Sequence, residues 1–206
     1  MSGGRLTGRA GRLALTARLA TAQRAVELLD RKQRALAVEC ERLELVAGRA
    51  ADDFEHKAGA AARWARRCVA LDGQRRLLAS APEETAEVAV GYDATMGVRH
   101  PTSADVTFGP EPDLAGSSAL VHTMRAHREA LAAAVQLAAA QRAVVLVSDE
   151  LALTRQQQRA LELRWIPKLD KQLTALAQRL DESEREENVR LRWAAGRAAG
   201  VPKERS

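Results

Sequence analysis

LTARLATAQRAVELLDRKQRALAVECERLELVAGRAADDF, Leu15–Phe54, carries its apolar residues at alternating spacings of four and three. Leu15, Leu19, Ala22, Val26 and Leu29 lead through Gln33 to Leu36, Cys40, Leu43, Ala47, Ala50 and Phe54. Such an alternation puts one seam residue on the same side of every helical turn and winds two helices around each other left-handedly. The stretch therefore predicts a long helix that cannot bury its seam without a second long helix facing it.

The facing partner is legible in the last third of the chain. Leu137, Ala140, Val144, Val147, Leu151, Thr154, Gln158, Leu161 and Trp165 keep the same alternation. The register then slips by one residue, and Ile166, Leu169, Leu173, Leu176 and Leu180 continue in the new phase. Pro167 sits at the slip. A proline there lacks the N–H that would close the helical hydrogen bond, crowds the carbonyl four residues back and restricts the residue before it. A kink or local change of supercoil is expected at Trp165–Lys168.

Between the two seams the composition changes. Ser80–Ser118 collects Pro82, Pro101, Pro110, Pro112 and several glycines, and Glu87–Tyr92 and Asp105–Phe108 hold alternating β-formers separated by turn residues. That pattern reads as a small hairpin. The expected fold is all-α: a long antiparallel two-helix coiled coil with a small irregular or β-hairpin insertion between the helices. The boundaries read as a disordered lead over 1–11, a first long helix over 12–79, the irregular segment over 80–117, a second long helix over 118–197 and a disordered tail over 198–206. Helices of 60 to 80 residues would give a rod on the order of 100 Å long. Such a rod has no deep interior, so stability rests on seam leucines worth roughly 1.5 to 3 kcal/mol each when fully buried.

Composition agrees with the periodicity. In 206 residues only 3% are aromatic while 29% are charged, a mixture that favours long helices over a mixed core. The net charge of +5 would suit nucleic acid, anionic lipid or an acidic protein surface. Arginines interleaved with acids along the chain argue against nucleic acid, whose binders concentrate their cations on one face or arm. Cys40 and Cys68 stand far apart without a CxxC, which suggests neither zinc nor a redox motif. In the Ala-rich stretch Leu131–Val147, Gln136, Gln141 and Arg142 interrupt the apolar runs, and no transmembrane helix is expected. The Arg-rich, acid-free start resembles an organelle transit peptide in composition, but the helical period runs straight on from it, which favours a short lead entering a helix.

Catalytic motifs are not found. There is no GxxxxGK[ST] to cradle phosphates, no GxGxxG and no HExxH. His56, His100, His122 and His127 do not have the spacing of metal ligands, and the acidic run Asp181–Glu187 includes Arg185, as a solvated, salt-bridged helix face does. No catalytic, cofactor-binding or metal-binding residue is assigned, and no cofactor is expected.

Three stretches in order resemble a known family. RLALTARLATAQRAVELLDRKQRALAVE, Arg12–Glu39, is similar to the opening helix of the D subunit of the V-type and archaeal-type rotary ATPases, with Asp30 where a lysine is usual. MGVRHP, Met96–Pro101, looks like that family's MGV-x-x-P hairpin segment. QQQRALELRWIPKLDKQLTALAQRLDESEREENVRLR, Gln156–Arg192, resembles its ALE-x-x-x-IP-x-L segment and the acidic and basic run that follows. Gln157 and Gln158 depart from the family pattern, and Arg190, Arg192 and Arg197 stand in place of a lysine-rich tail. What the resemblance implies is the central rotor shaft of a V/A-type ATP synthase, carrying torque between a membrane ion-driven ring and the catalytic hexamer, with no catalytic site of its own. The implied partners are the catalytic and regulatory subunits (A and B), the small F subunit of the stalk and the membrane-ring adaptor subunit (C/d), with no nucleic acid and no direct membrane insertion. The implied location is peripheral, on the cytoplasmic side of the plasma membrane. Trp165, Ile166, Pro167, Met96, Gly97, Val98, Arg179, Arg185, Arg190 and Arg192 are the expected partner-contact positions. A freestanding coiled-coil scaffold and a basic nucleic-acid-binding coiled coil are the alternatives.

Overall fold

The computed structural model describes residues 8–82, 84–110 and 117–199, and the side chains of these up to residue 195. Helix α1 spans Gly8–Asp72 and the short α2 spans Gln74–Ala79; strands β1 (Glu87–Thr95) and β2 (Val98–Thr107) form the hairpin. Helix α3 (Ser118–Ala160), a single π-helical turn (Leu161–Trp165) and α4 (Ile166–Ala199) follow. The fold class is the expected one, helices with a small antiparallel hairpin inserted.

Three boundaries differ from expectation. Helix α1 begins at Gly8 rather than at residue 12, because the apolar period already includes the residues before Leu15; the rest of the expected lead, 1–7, lies outside the described residues. The first helix does not run unbroken to residue 79. Gly73 takes φ +83°, a backbone conformation natural to glycine, and separates α1 from α2. Helix α4 reaches Ala199, two residues into the expected tail, and 200–206 lie outside the described residues.

The chain divides into two units. One joins residues 1–31 to 155–206, the other is 32–154. In the first, Leu15 is buried with Leu169 and Leu176, and Leu19, Ala22, Leu173 and Leu180 pack against them. Arg9 pairs with Glu184 at 3.0 Å, so the start of α1 lies beside the later part of α4.

In the second unit Leu36, Cys40 and Leu43 of α1 are buried with Ala143, Val147 and Leu151 of α3. Lys32 forms an ion pair with Glu150. Further along α1, Ala61 meets Ala126 and Ala130, and Cys68 meets Ala119 and Leu120. Partner numbers fall as α1 numbers rise, so the two helices run antiparallel. Alanines at the Ala61 contact let the backbones approach closely but bury little area, and Trp64 packs beside them to fill the gap. The Trp64 ring stacks on His122 at 4.5 Å between centroids, and the Arg67 guanidinium lies over the Trp64 ring at 4.8 Å.

The junction of α1 and α3 is tied by polar groups. Asp72 accepts from the backbone N–H of Ser117 at 3.4 Å and from the Ser117 hydroxyl. The last residue of one helix thereby satisfies a donor that the start of the other leaves open. Burial pushes the neighbouring Cys68 thiol above its ordinary pKa, and the Asp72 carboxylate beside it acts in the same direction.

One window of the Ser118–Ala195 helical stretch has a mean hydropathy of 1.7 and is long and apolar enough to cross a membrane by length and composition alone, contrary to the expectation from its polar interruptions. Its buried alanines and Val147 pack against α1.

Candidate functional site

Two local structures hold the residues singled out from the sequence, and each follows from a backbone constraint. The first is the turn at Pro167. The N–H of Ile166 donates to the carbonyl of Leu161, five residues back, and this wider bond closes the π-turn Leu161–Trp165. Pro167 has no N–H to give the turn before it, and its ring crowds the carbonyl four residues back, so widening by one residue relieves both demands. A π-turn inserts one residue without breaking the helix. That residue is the slip in the seam.

The insertion decides which side chain stays inside. Ile166 is half-buried, and Leu169 and Leu176 are buried after it. Trp165, the last residue of the old phase, is turned out and 57% exposed. Lys168 Nζ stands 5.9 Å from the centroid of its ring. Trp165, placed in the seam by its spacing, is therefore removed from it by the π-turn. The expected kink is thus a change of helical winding located one turn ahead of Pro167, and Pro167 itself is exposed.

The second is the tip of the hairpin. Met96 and Gly97 connect β1 to β2 with φ +51° and +84°, and a two-residue connection with both φ positive matches the twist of the strands. Gly97 takes that conformation freely, whereas Met96 does so at a steric cost. Met96 is 55% exposed. Val98, the third expected contact position, instead packs against the Leu36–Leu151 cluster and holds the hairpin down.

Strand β2 is the seated strand. His100 is buried, with Nε2 3.3 Å from the Thr95 hydroxyl and 3.8 Å from Glu39 Oε1, and its Nδ1 donates to the Pro101 carbonyl at 3.2 Å. Gln136 of α3 donates to the Ala104 carbonyl. The Arg42 guanidinium, 2.6 Å from Glu39, holds the Glu39 carboxyl below the usual carboxylate range. The pairing shifts register between Gly91 and Tyr92, where Pro101 falls opposite Tyr92. A proline is tolerated at such an irregularity because no ladder hydrogen bond is asked of it. The hairpin and its first strand were legible in the sequence, but the second strand was expected over Asp105–Phe108 and spans Val98–Thr107; the anchors, Glu39, His100 and Gln136, were not legible. The burial of a lone histidine opposite a helix acid carries no local pattern by which to find it.

Arg179, Arg185, Arg190 and Arg192 lie exposed along α4, and Arg190 is 3.6 Å from Glu186 one turn back. From residue 181 to 195 the helix is exposed on every side, and the arginines there are interspersed with acids. Among the described residues no group of three or more His, Cys, Asp or Glu side chains is placed to hold a metal ion.

The comparisons with known proteins agree with this arrangement. The family model for the D subunit of ATP synthase matches residues 12–196. The V-type ATP synthase D subunit of Anaeromyxobacter dehalogenans (strain 2CP-1 / ATCC BAA-258) is 32% identical over 197 residues, covering 90% of this chain and 93% of the relative. Its counterpart in Anaeromyxobacter sp. (strain K) aligns to the same extent, with 32% identity over 197 residues. The A-type ATP synthase D subunit of Methanopyrus kandleri is 38% identical over 76 residues, 37% of this chain and 33% of its own length.

Proposed function

This chain belongs to the family of ATP synthase D subunits, and from that membership we propose that it is the central rotor shaft of a V/A-type rotary ATPase. In that role it carries torque between a membrane ion-driven ring and a catalytic hexamer, coupling ATP synthesis or hydrolysis to proton or sodium transport. It supplies mechanics and no catalytic group. Its partners are the A and B subunits of the hexamer, the small F subunit of the stalk and the ring adaptor (C/d), and its place is peripheral, on the cytoplasmic side of the plasma membrane.

The observation that carries the reading is the family match across residues 12–196. What supports it mechanically is the pairing of α1 with α3 and with α4 through narrow apolar seams, which resists twisting better than a single helix does. An axle must also be asymmetric and must not stick. The π-turn supplies a local irregularity on one helix, and the mixed charges of α4 give a surface that stays hydrated. Trp165, Ile166, Pro167, Met96, Gly97 and the arginines Arg179, Arg185, Arg190 and Arg192 remain the proposed contact positions. For Val98 the proposed role is to seat the hairpin.

Affinity purification of the tagged full chain, followed by mass spectrometry of what accompanies it, tests this. Recovery of hexamer and stalk subunits in defined stoichiometry is expected. Recovery of the chain alone as a homodimer, or with nucleic acid released by salt, would overturn the proposal in favour of a scaffold or a nucleic-acid binder.

A further inference from the structure

The π-turn leaves a surface on its outward side that the seam does not use. A shallow groove of about 460 Å3 runs there between Leu163, Arg164, Pro167, Lys168, Lys171 and Gln172. Its chemistry is one-sided, with three cations and no carboxylate in the lining. Leu163, in the lining, is 74% exposed, and the Trp165 ring, outside the lining, is 5.9 Å from Lys168 Nζ. Of the same turns, Leu169 and Leu173 are drawn inward with Leu15 and Leu19 and Ile166 is half-buried, so the groove is left to solvent.

The nearest acids do not neutralise it. Glu162 accepts from Gln158 Nε2 at 2.8 Å, and neither Arg164 nor Lys171 is in an ion pair among the described residues. The site thus offers a fork-shaped guanidinium and two ammonium groups beside the exposed Leu163 within two turns of helix.

We propose that this groove seats a carboxylate-rich loop of a neighbouring protein subunit, with acids against Arg164, Lys168 and Lys171 and an apolar side chain on Leu163. Charge complementarity selects this occupant over a nucleic acid or a lipid surface. A phosphate backbone or an anionic membrane extending along α4 would meet the acidic run Asp181–Glu187, whereas a short loop ends before it. The inference rests on the reading of the chain as a stalk subunit.

The test uses the intact complex purified through the tagged chain. A carbodiimide joins an amine to a carboxylate only when the two are in contact, so Lys168 and Lys171 should give products with Asp or Glu of another chain. Lys57, 2.7 Å from Asp53 of its own chain, is the internal control. Replacing the three cations together (R164E, K168E, K171E) should speed loss of the chain from the complex roughly tenfold at low salt, with the difference closing at high salt. Unchanged helicity would show that these exposed substitutions leave the fold intact. If hexamer subunits co-purify but neither lysine yields an inter-chain product, the groove is not a docking site, and the stalk reading survives. The docking proposal is equally overturned if anionic vesicles or DNA, and not the co-purifying subunits, shield the groove lysines from an added acylating reagent. If no ATPase subunit accompanies the chain, the functional reading fails and this inference with it.

Discussion

The backbone N–H of Ile166 reaches the carbonyl of Leu161, five residues back, and that single bond reconciles two demands that a regular α-helix cannot meet together. Leu161 belongs to the earlier phase of the seam and Ile166 to the later, so both stay at least half-buried only if one residue is accommodated between the phases. Pro167 marks where this happens, but the packing of Leu169 and Leu176 is what requires it.

It follows that Pro167→Ala alone will keep the π-turn. Straightening the helix would rotate Leu169 and Leu176 out of the seam at a cost of about 1.5 to 3 kcal/mol each. Deleting the exposed Leu163 in the Pro167→Ala background removes the extra residue and leaves the later seam in phase. The double change is expected to match or exceed the parent in thermal stability and to slow amide exchange at Ile166. A loss of stability on the scale of an exposed seam leucine would contradict this account. In the assembled ATPase, coupling between ATP turnover and ion transport should fall in the same variant if the irregular turn contributes to the shaft's asymmetry.

Seam and surface leucines should differ sharply in cost. Leu36 is fully buried among Cys40, Leu43, Ala143, Val147 and Leu151, whereas Leu28 on the same helix is 63% exposed. Leu36→Ala is expected to destabilise by about 2 to 5 kcal/mol, and Leu28→Ala by no more than about 0.5 kcal/mol. Urea unfolding followed by circular dichroism measures both, and equal costs would show that Leu36 is not in a packed seam.

At the hairpin tip the side chain of Met96 is held at φ +51°, where a residue with a Cβ is strained. Met96→Gly should therefore raise stability by several tenths of a kcal/mol up to about 1 kcal/mol, while the β-branched Met96→Val should lower it. Thermal melting of the two variants separates the backbone effect from loss of the thioether, since both remove it.

Acid should loosen the seating of the hairpin. Arg42 lowers the pKa of Glu39 below its ordinary value near 4.5, so the folded state favours the ionised carboxylate. The stabilisation is fully present above the unfolded-state value and is lost as pH falls through the lower folded-state one. Because Arg42 is largely in solvent, the contribution is no more than about 1 kcal/mol. Stability measured between about pH 6 and pH 3 should fall less steeply in Glu39→Gln than in the parent; parallel curves would remove Glu39 from the account.

The seams were readable in advance because their signal is repeated. Every seam position from Leu15 to Phe54 is buried or half-buried, including the polar Gln33. The slip at Trp165–Ile166 was also readable, but its form was not, since a kink, a change of supercoil and a π-turn all answer the same phase change. Gly73 ended α1 early because one glycine in a strongly periodic stretch does not announce whether it will adopt a positive φ. For the hairpin, turn residues and β-formers marked β1 and only the end of β2, whereas the anchoring of β2 by Glu39 and Gln136 depends on contacts made at distances of 61 and 32 residues along the chain. No local pattern encodes such pairs.

The tie from Asp72 to Ser117 bears on how this molecule can vary over time. It fastens the outgoing helix directly to the start of the returning one, so the forty-odd positions enclosed between them need not set the alignment of the two. That excursion can then be shortened, lengthened or redecorated to suit whatever sits beside it while the pairing of α1 with α3 stays as it is.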